Sequence, residues 1–599
     1  MREVVTIQVG GFANFVGSHF WNFQDELLGL AGDLESDPTF KNHGLNMDVL
    51  YRCGETHEVE GGRGRLMPTD SFAHGRRLLI LVSPCLQGVL TCTPRLVSVN
   101  YQGSLGSMSS SGTLYNQPPD VPPPVTTWKG ALSTQRSQRR KRNLFLQSLY
   151  EDEQRQSTGV DNGHADAQDE IRDKDIVECL ENEVQCWTDF SKVHYHPQSL
   201  YELSGLWMDA QEFNNYGSGK DVFSEGIRGE EMNDRIRFFV EECDHIQGIQ
   251  VLVDDSGGFS SVAADLLQSI ADDYANTPVL LYSVRDPGSY MRYKGRKMNI
   301  SRDLHDAVSF ARLSSFCKLI VPVGLPFLSG GKASTYLHVN DEKPYHCSAV
   351  YAAALHSLSL PFRMDLLGPT AISNRISGAL DVNGIVQILP GPRQNMVAIV
   401  DSTMPAHSLT GNPAEQPLLS KLQSLTPEIS EDAQDLQSVE TLVVQGALAS
   451  GEQRASVSEV QQAISAAYGE AMTRPRFCHL SVSTCPLPIP LPFPAIFSDA
   501  VGQRGEILGN PNPDAAPKTS LDVHSIPVAA RLRSSSAILP FLSNRLENLR
   551  KFGIRRGALG GELLKTWGFG KEELEDMGET LSGMVRTLDP ISDEDSDSD

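Results

Sequence analysis

The chain has 599 residues, with 51 Lys+Arg against 75 Asp+Glu, a formal charge of −24, and 40% apolar residues. It is longer than the ~250 to 300 residues at which a single core stops growing, so two or three structural units are expected. The acidity argues against a nucleic-acid-binding body, because phosphate contacts need clustered Lys and Arg and the dense basic run Arg136 to Arg142 sits in low-complexity surroundings. Ten Cys with no C-x-x-C pair read as buried or free thiols in a reducing compartment. Neither a secretory signal nor ~18 uninterrupted apolar residues is present, so the expected location is cytoplasmic and any membrane association peripheral.

Val4 to Val9 alternates and is β-branched, Gly10-Gly11 breaks it, and Asn14 to Leu30 carries apolar residues at helical spacing. Strand character returns at Met47 to Tyr51 and at Pro94 to Val99. From about 103 to 180 the chain is successively Ser-rich, Pro-rich, basic and acidic, which predicts a disordered insertion, solvent-exposed and dispensable for folding. Met232 to Cys243 is then helical, Ile249 to Val253 a strand, Val262 to Tyr274 a helix. The alternation continues through Val279 to Val284, Asp303 to Phe316, Leu319 to Val323 and Ala349 to Leu360. Repeated strand-turn-helix units imply a mostly parallel sheet covered by helices, an α/β fold. A polar insertion at about 405–440 follows, and the chain closes with two helical patterns and an acidic tail, 591–599, in which Ser592, Ser596 and Ser598 are candidate phosphorylation sites.

Two glycine turns lie between a strand and a helix, Gly10-Gly11-Phe12 and Ser256-Gly257-Gly258-Phe259. There, backbone N–H groups and a helix N-terminus can cradle phosphate, although glycine also simply lets strand and helix pack closely. His194 and His196 would share one face of a strand, but no Cys or further His completes a zinc site, and no G-x-S-x-G elbow marks a hydrolase. Phe541, Leu542, Leu546, Leu549 and Phe552 form an apolar stripe beside Arg545, Arg550, Lys551, Arg555 and Arg556. That pattern suits a surface-seeking helix or, the preferred reading, an outer helix packed on its domain.

Met1, Arg2, Glu3, Val5, Ile7, Gln8, Gly10, Asn14, Gly17, Phe20 and Trp21 match the tubulin opening MRE-x-V-x-IQ-x-G-x-x-x-N-x-x-G-x-x-FW without a gap. Thr93 to Val99 resembles the tubulin strand that ends in the magnesium-side loop, Asn214-Asn215-Tyr216 its NNW segment, and Cys243 to Gly248 its CD-x-x-QG. Leu389 to Arg393 resembles VPFPR, and Ser536 to Phe552 with Leu563 to Leu588 the final helix pair. With its insertions and the segment Cys186 to Pro197, the chain resembles the Misato family of divergent tubulin-like proteins.

The resemblance implies a tubulin-like nucleotide-type domain to about residue 385, an intermediate α/β domain over 386–530 and a C-terminal helical region over 531–590. Its nucleotide pocket would be a vestige formed by Gly10, Gly11, Asn14, Asn100, Gly257, Gly258 and Asn299. Phe12 stands where tubulins have a small Cys, Asn100 and Gln102 where they have carboxylates, and Phe259 and Val262 where they have Thr and Gly. Amides are poor ligands for magnesium, and β-branched Val does not readily adopt positive φ. We therefore expect no catalytic residue, no metal and no cofactor, GTP being the ligand at issue. The family implies a non-enzymatic protein at the mitochondrial outer surface that supports mitochondrial distribution, morphology and fusion. It also implies a link to chromosome segregation on the spindle, and chaperonin or tubulin complexes as partners. The competing class is a GTPase or filament former.

Overall fold

The computed structural model describes residues 2–33, 35–57, 66–67, 88–110, 112, 141–158, 171–207, 213–220, 222–223, 227–291, 295–365, 375–410, 417–430, 435, 437–449, 453–470 and 474–588. Its first layer is a six-stranded, wholly parallel sheet built from β1 (Glu3–Val9), β2 (Leu96–Gln102), β3 (Leu200–Trp207), β4 (Ile246–Asp254), β5 (Val279–Val284) and β6 (Leu319–Val323). The strand order is β3-β2-β1-β4-β5-β6. Every residue of β1 is buried, as a parallel strand covered on both faces requires. Val4 joins one core with Phe12, Val16 and Trp21, whereas Val5, Ile7 and Val9 join the other with Val262, Leu304 and Leu542, which is the period of two expressed as two cores.

The covering helices are α1 (Gly11–Gly32), α2 (Leu144–Thr158), α3 (Asp173–Glu183), α4 (Arg228–Glu241), α5 (Phe259–Asp273), α6 (Arg296–Ser314) and α7 (Pro344–Leu358). A Cβ on Gly17 would fall 2.0 Å from the Gln8 amide, so these two motif residues set how closely α1 sits on β1. All residues of α7 from Tyr345 onward are buried, the mark of a helix apolar all round. It packs between α1 and a second sheet.

That second, mixed sheet has the order β7-β11-β10-β12-β8-β9 and draws its strands from 376–534: β7 (Ile376–Ser377), β8 (Ile399–Thr403), β9 (Gln423–Ser424), β10 (Val439–Gln445), β11 (Phe477–Ser483) and β12 (Val528–Ser534). The sequence boundary at 530 thus falls inside β12. Across it, buried Asp401 takes Arg531 at 2.7 Å and Arg533 at 2.7 Å, and Arg531 also meets Glu440 at 3.2 Å. α8 (Leu539–Asn548), a π-helical turn (Leu549–Ile554) and α9 (Lys571–Leu588) close the described chain. Phe541, Leu542, Leu546 and Leu549 are buried, and Arg545 is only 5% exposed, ion-paired with Glu428 at 3.3 Å and stacked 3.3 Å over Phe541. The stripe is that of an outer helix packed on its domain.

The expected insertion over 103–180 needs correction at its described ends. Leu105, Phe145, Ile176 and Leu180 are buried in the main core, because α2 and α3 are amphipathic helices whose few apolar residues fall on one face. Asn143 donates to Asp189 O at 2.7 Å, and Thr188 to Leu105 O at 3.1 Å. Residues 113–140 and 159–170 lie outside the described residues, as do 411–416, 431–434 and the acidic tail. The free-thiol expectation fails for Cys92, which is disulfide-bonded; the antiparallel register of Tyr51–His57 on Gly88–Pro94 sets Cys53 directly opposite it.

The end of α3 is tied across the molecule through Glu181. Its carboxylate accepts from His346 Nε2 at 2.9 Å, Lys343 Nζ at 3.3 Å and the Ala495 N–H at 2.6 Å. Burial pushes Glu181 up, but the His346 bond and charge, the Ala495 N–H and Lys343 outweigh it and hold the carboxyl at about 2. A depressed folded pKa means stabilisation that is present above the unfolded value and lost as pH falls toward about 2. Glu181→Ala, which strands those donors, should cost about 1–3 kcal/mol in denaturant unfolding at pH 7. That deficit should shrink on acidification through the pH 4.5 to 2 window.

Candidate functional site

The two glycine turns meet where β1, β2 and β4 end, the edge at which sheets of this kind hold ligands. Gly10 has φ 103°, and a Cβ there would lie 2.7 Å from Asp254 Cβ and 3.0 Å from the Phe259 ring. Only glycine fits that position. Asp254 joins the turns: one oxygen accepts from the Phe12 N–H at 3.0 Å, the other from Ser256 Oγ at 2.6 Å. Burial pushes its carboxyl up, against the pull of these hydrogen bonds.

The place of a phosphate is taken by the chain itself. The Gly258 N–H donates to Phe213 O at 3.0 Å. A Cβ on Gly257 would fall 2.4 Å from that same oxygen, and one on Gly258 2.7 Å from the Phe213 ring. On the adjoining side, a Cβ on Gly219 would meet Gly258 O at 2.0 Å. Phe213, Phe259 and Tyr101 pack edge to face, with centroids 4.5 to 5.5 Å apart, and Phe12 sets its edge against Tyr351 of α7 at 6.1 Å. The glycines serve close approach, but of protein to protein. A nucleotide phosphate does not fit this arrangement, because the amide that would bind it is already paired and an aromatic ring covers the turn.

Asn14 and Asn100, buried at 0% and 2% exposure, face each other and not an opening. Asn14 Nδ2 donates to Asn100 Oδ1 at 2.9 Å and to Val99 O at 3.2 Å, while Asn14 Oδ1 accepts from Ser98 Oγ at 2.8 Å. Trp187 Nε1 donates to Asn100 Oδ1 at 2.9 Å, and Asn100 Nδ2 donates to Ser98 O at 3.1 Å. Gln102 Oε1 accepts from the Gly205 N–H at 3.0 Å, fastening β2 to β3. The structure thus gathers Gly10, Asn14, Asn100, Gly257 and Gly258 around one filled crevice. Gly11, by contrast, opens α1 in free space, since a Cβ added there would meet no atom within 4 Å, and Asn299 lies half-buried in the first turn of α6.

Sequence reasoning missed the charged cluster beside this crevice. Arg285, following β5, is 5% exposed and pairs with Asp255 at 2.7 Å and Asp306 at 2.9 Å; Ser283 Oγ also donates to Asp255, at 2.5 Å. His305 Nε2 lies 2.7 Å from Asp255 O, and burial pushes its pKa down. Burial alone would raise Asp306, but Arg285 and His305 hold it below the usual carboxylate range. The neighbouring Asp286 is pushed up to about 6 by burial and the charge of Asp254. The cluster joins three segments with no fixed spacing, so no motif could have announced it, and its cation is committed to carboxylates. His196 is not on a strand but precedes β3; its ring stacks on Phe238 at 4.8 Å, and burial with the Arg52 and Arg235 charges holds it at about 3. Among the described residues no group of three His, Cys, Asp or Glu is placed to hold a metal.

Restoring a carboxylate tests the net. In Asn100→Asp one oxygen keeps the Asn14 and Trp187 donors, but the other meets the Ser98 carbonyl, so the buried acid favours its protonated form. Its folded pKa then lies above the unfolded one, and the stability it contributes is lost as pH rises. The variant should be about 1–3 kcal/mol less stable at pH 8, with a smaller deficit at pH 5, read from thermal unfolding.

A family model described as the Misato Segment II tubulin-like domain matches residues 2–68 and 78–151, so it runs through more than half of the stretch expected to be an insertion. A tubulin domain model matches residues 177–364. Among relatives, Protein misato homolog 1 of Mus musculus is 29% identical over 93% of each chain. The Macaca fascicularis protein of the same name is 32% identical over 61% of this chain and 60% of that one. Protein dml-1 of Neurospora crassa is 25% identical over 67% of this chain and 65% of its own. The filled crevice therefore sits in a tubulin-like sheet, and the chain belongs to the Misato family of tubulin-like proteins.

Proposed function

We propose that this chain is a non-enzymatic tubulin-like protein that regulates mitochondrial distribution, morphology and fusion. It acts from the cytoplasm as a peripheral component of the mitochondrial outer membrane, with a further role in spindle function and chromosome segregation. Chaperonin or tubulin complexes are its proposed partners. The mitochondrial part follows from the family resemblance. The non-enzymatic part is carried by one observation, the Phe213 carbonyl on the Gly258 amide with the Phe213 ring over the same turn. Hydrolysis by this fold class needs phosphate held at that turn and charge stabilised as it develops, whereas here the amide is paired and Arg285 is neutralised by two carboxylates. No helix among the described residues is long and apolar enough to cross a membrane, which agrees with peripheral attachment.

Purified full-length protein should carry far less than one equivalent of guanine nucleotide and show no magnesium-dependent GTP turnover above buffer. Stoichiometric nucleotide, or turnover abolished by Asp254→Ala, would overturn the non-enzymatic reading. In cells, depletion should disperse or fragment the mitochondrial network, and mitochondria should release the bound protein into alkaline carbonate; an unaltered network would remove the mitochondrial part.

A further inference from the structure

As the preferred sequence reading has it, α8 is packed on its domain, with Arg545 and the apolar residues Phe541, Leu542, Leu546 and Leu549 inside. The exposed cations collect instead where the π-helical turn and the segment after it lie against the start of α6. A Cβ on Gly560 would fall 2.2 Å from Leu304 Cδ1 and 3.5 Å from Ile300 Cγ2, and one on Gly553 3.4 Å from Leu304 Cδ2. This contact sets Gly553 and Gly560 beside the second and third turns of α6. Six cations are exposed on the two elements: Arg296, Lys297, Arg550, Lys551, Arg555 and Arg556. None of them forms an ion pair with a carboxylate among the described residues, and the nearby Glu562 is taken by Lys565 at 2.7 Å.

Apolar tips stand out among these charges. Met291 is 68% exposed, Leu559 65% and Met298 49%. Arg302 Nη1, one turn along α6 from Met298, donates to Met291 O at 3.0 Å and so holds the Met291 backbone at the same end of the helix.

We propose that this face docks on an anionic phospholipid surface, with Met291, Met298 and Leu559 entering the headgroup layer and the six cations lying over it. The inference rests on the peripheral membrane reading above and gives it a location. Charge complementarity selects the occupant: a chain of net charge −24 is repelled by an anionic bilayer unless a locally positive face turns toward it. Met291, Met298 and Leu559 are each about half or more exposed, and side chains that protrude this far are accommodated by a fluid interface where a rigid protein partner would need a matching pocket for each.

The test uses the full chain, co-sedimented with phosphatidylcholine vesicles with and without phosphatidylserine, at low and high salt. Binding should require phosphatidylserine and weaken with salt. With Lys297, Lys551, Arg555 and Arg556 each changed to Glu, affinity should fall by about 100-fold or more, since each basic residue near such a surface contributes several-fold. The double variant Met298→Ser/Leu559→Ser should keep the salt-sensitive part and lose the part that survives high salt. Both variants alter exposed side chains only, so their thermal transitions should match the parent's, and a variant whose transition is lowered is replaced by Ala at the same sites. Equal binding to neutral vesicles, or full binding by the charge-reversed protein, overturns the proposal. Binding to mitochondria that disappears when their surface proteins are shaved with protease, with no binding to vesicles, also overturns it by assigning the contact to a protein receptor. That outcome leaves the mitochondrial function standing.

Discussion

The close approach of Phe213 to the Gly257-Gly258 turn is the contact on which the rest of the crevice depends. It needs two consecutive residues without side chains, because a Cβ on either would overlap Phe213. Once made, it brings the Phe213 ring against Phe259 and Tyr101, and through Gly219 it holds the turn Tyr216–Gly219 on the same surface. The contact continues outward. A Cβ on Gly217 would strike Trp567 at 2.1 Å, and Lys220 donates to Gly568 O at 2.7 Å while lying 4.3 Å over Phe569. The glycine turn is therefore joined by direct packing to the C-terminal helical region. Where a nucleotide-binding protein leaves a polar cleft for its ligand to complete, this chain completes the cleft with its own aromatic residues and backbone.

The replacement of charge by amide follows the same logic. A carboxylate at residue 100 accepts only, and on that side it would meet the Ser98 carbonyl and a Ser98 hydroxyl that already donates to Asn14, so it would lose hydration without gaining an uncommitted donor. An asparagine presents a carbonyl to Asn14 and Trp187 and an amide to Ser98, so both ends are satisfied. Asn14 reciprocates with both of its ends. Such a net stabilises the fold because every member is paired.

Much of the fold is legible in the sequence because its strands are β-branched runs bounded by turn residues. Val279–Val284 and Leu319–Val323 match their predicted limits, whereas Met47 to Val49 is not strand but a 3-10 turn that precedes the strand beginning at Tyr51. Helices begin earlier than their apolar pattern shows, as with α6 at Arg296 and not Asp303, because the first turn of a helix carries little apolar periodicity. The ends of the 103–180 stretch are lost to averaging: three or four apolar residues per helix are enough to dock α2 and α3 but too few to shift the composition of about eighty. The crevice is half legible. Its glycines and amides stand out by position, whereas Phe213, the residue that fills it, lies in a segment with no pattern of its own, and the partners of Arg285 come from two other elements.

A tubulin-like body filled in this way has a different route to regulation. A ligand shifts a conformational equilibrium only by its differential affinity for the two states, and a nucleotide excluded from both shifts nothing. The elements that would respond to a γ-phosphate, the two glycine turns and the residues after β2, are here pinned to each other by Asp254, Phe213 and the Asn14–Asn100 pair. On the non-enzymatic reading proposed above, a change of state would be driven from the outer surfaces. One such surface is the group of exposed cations around Gly553 to Gly560, a segment that packs closely on α6 at Leu304 and on α9, where a Cβ on Gly578 would fall 3.0 Å from the Ile554 side chain.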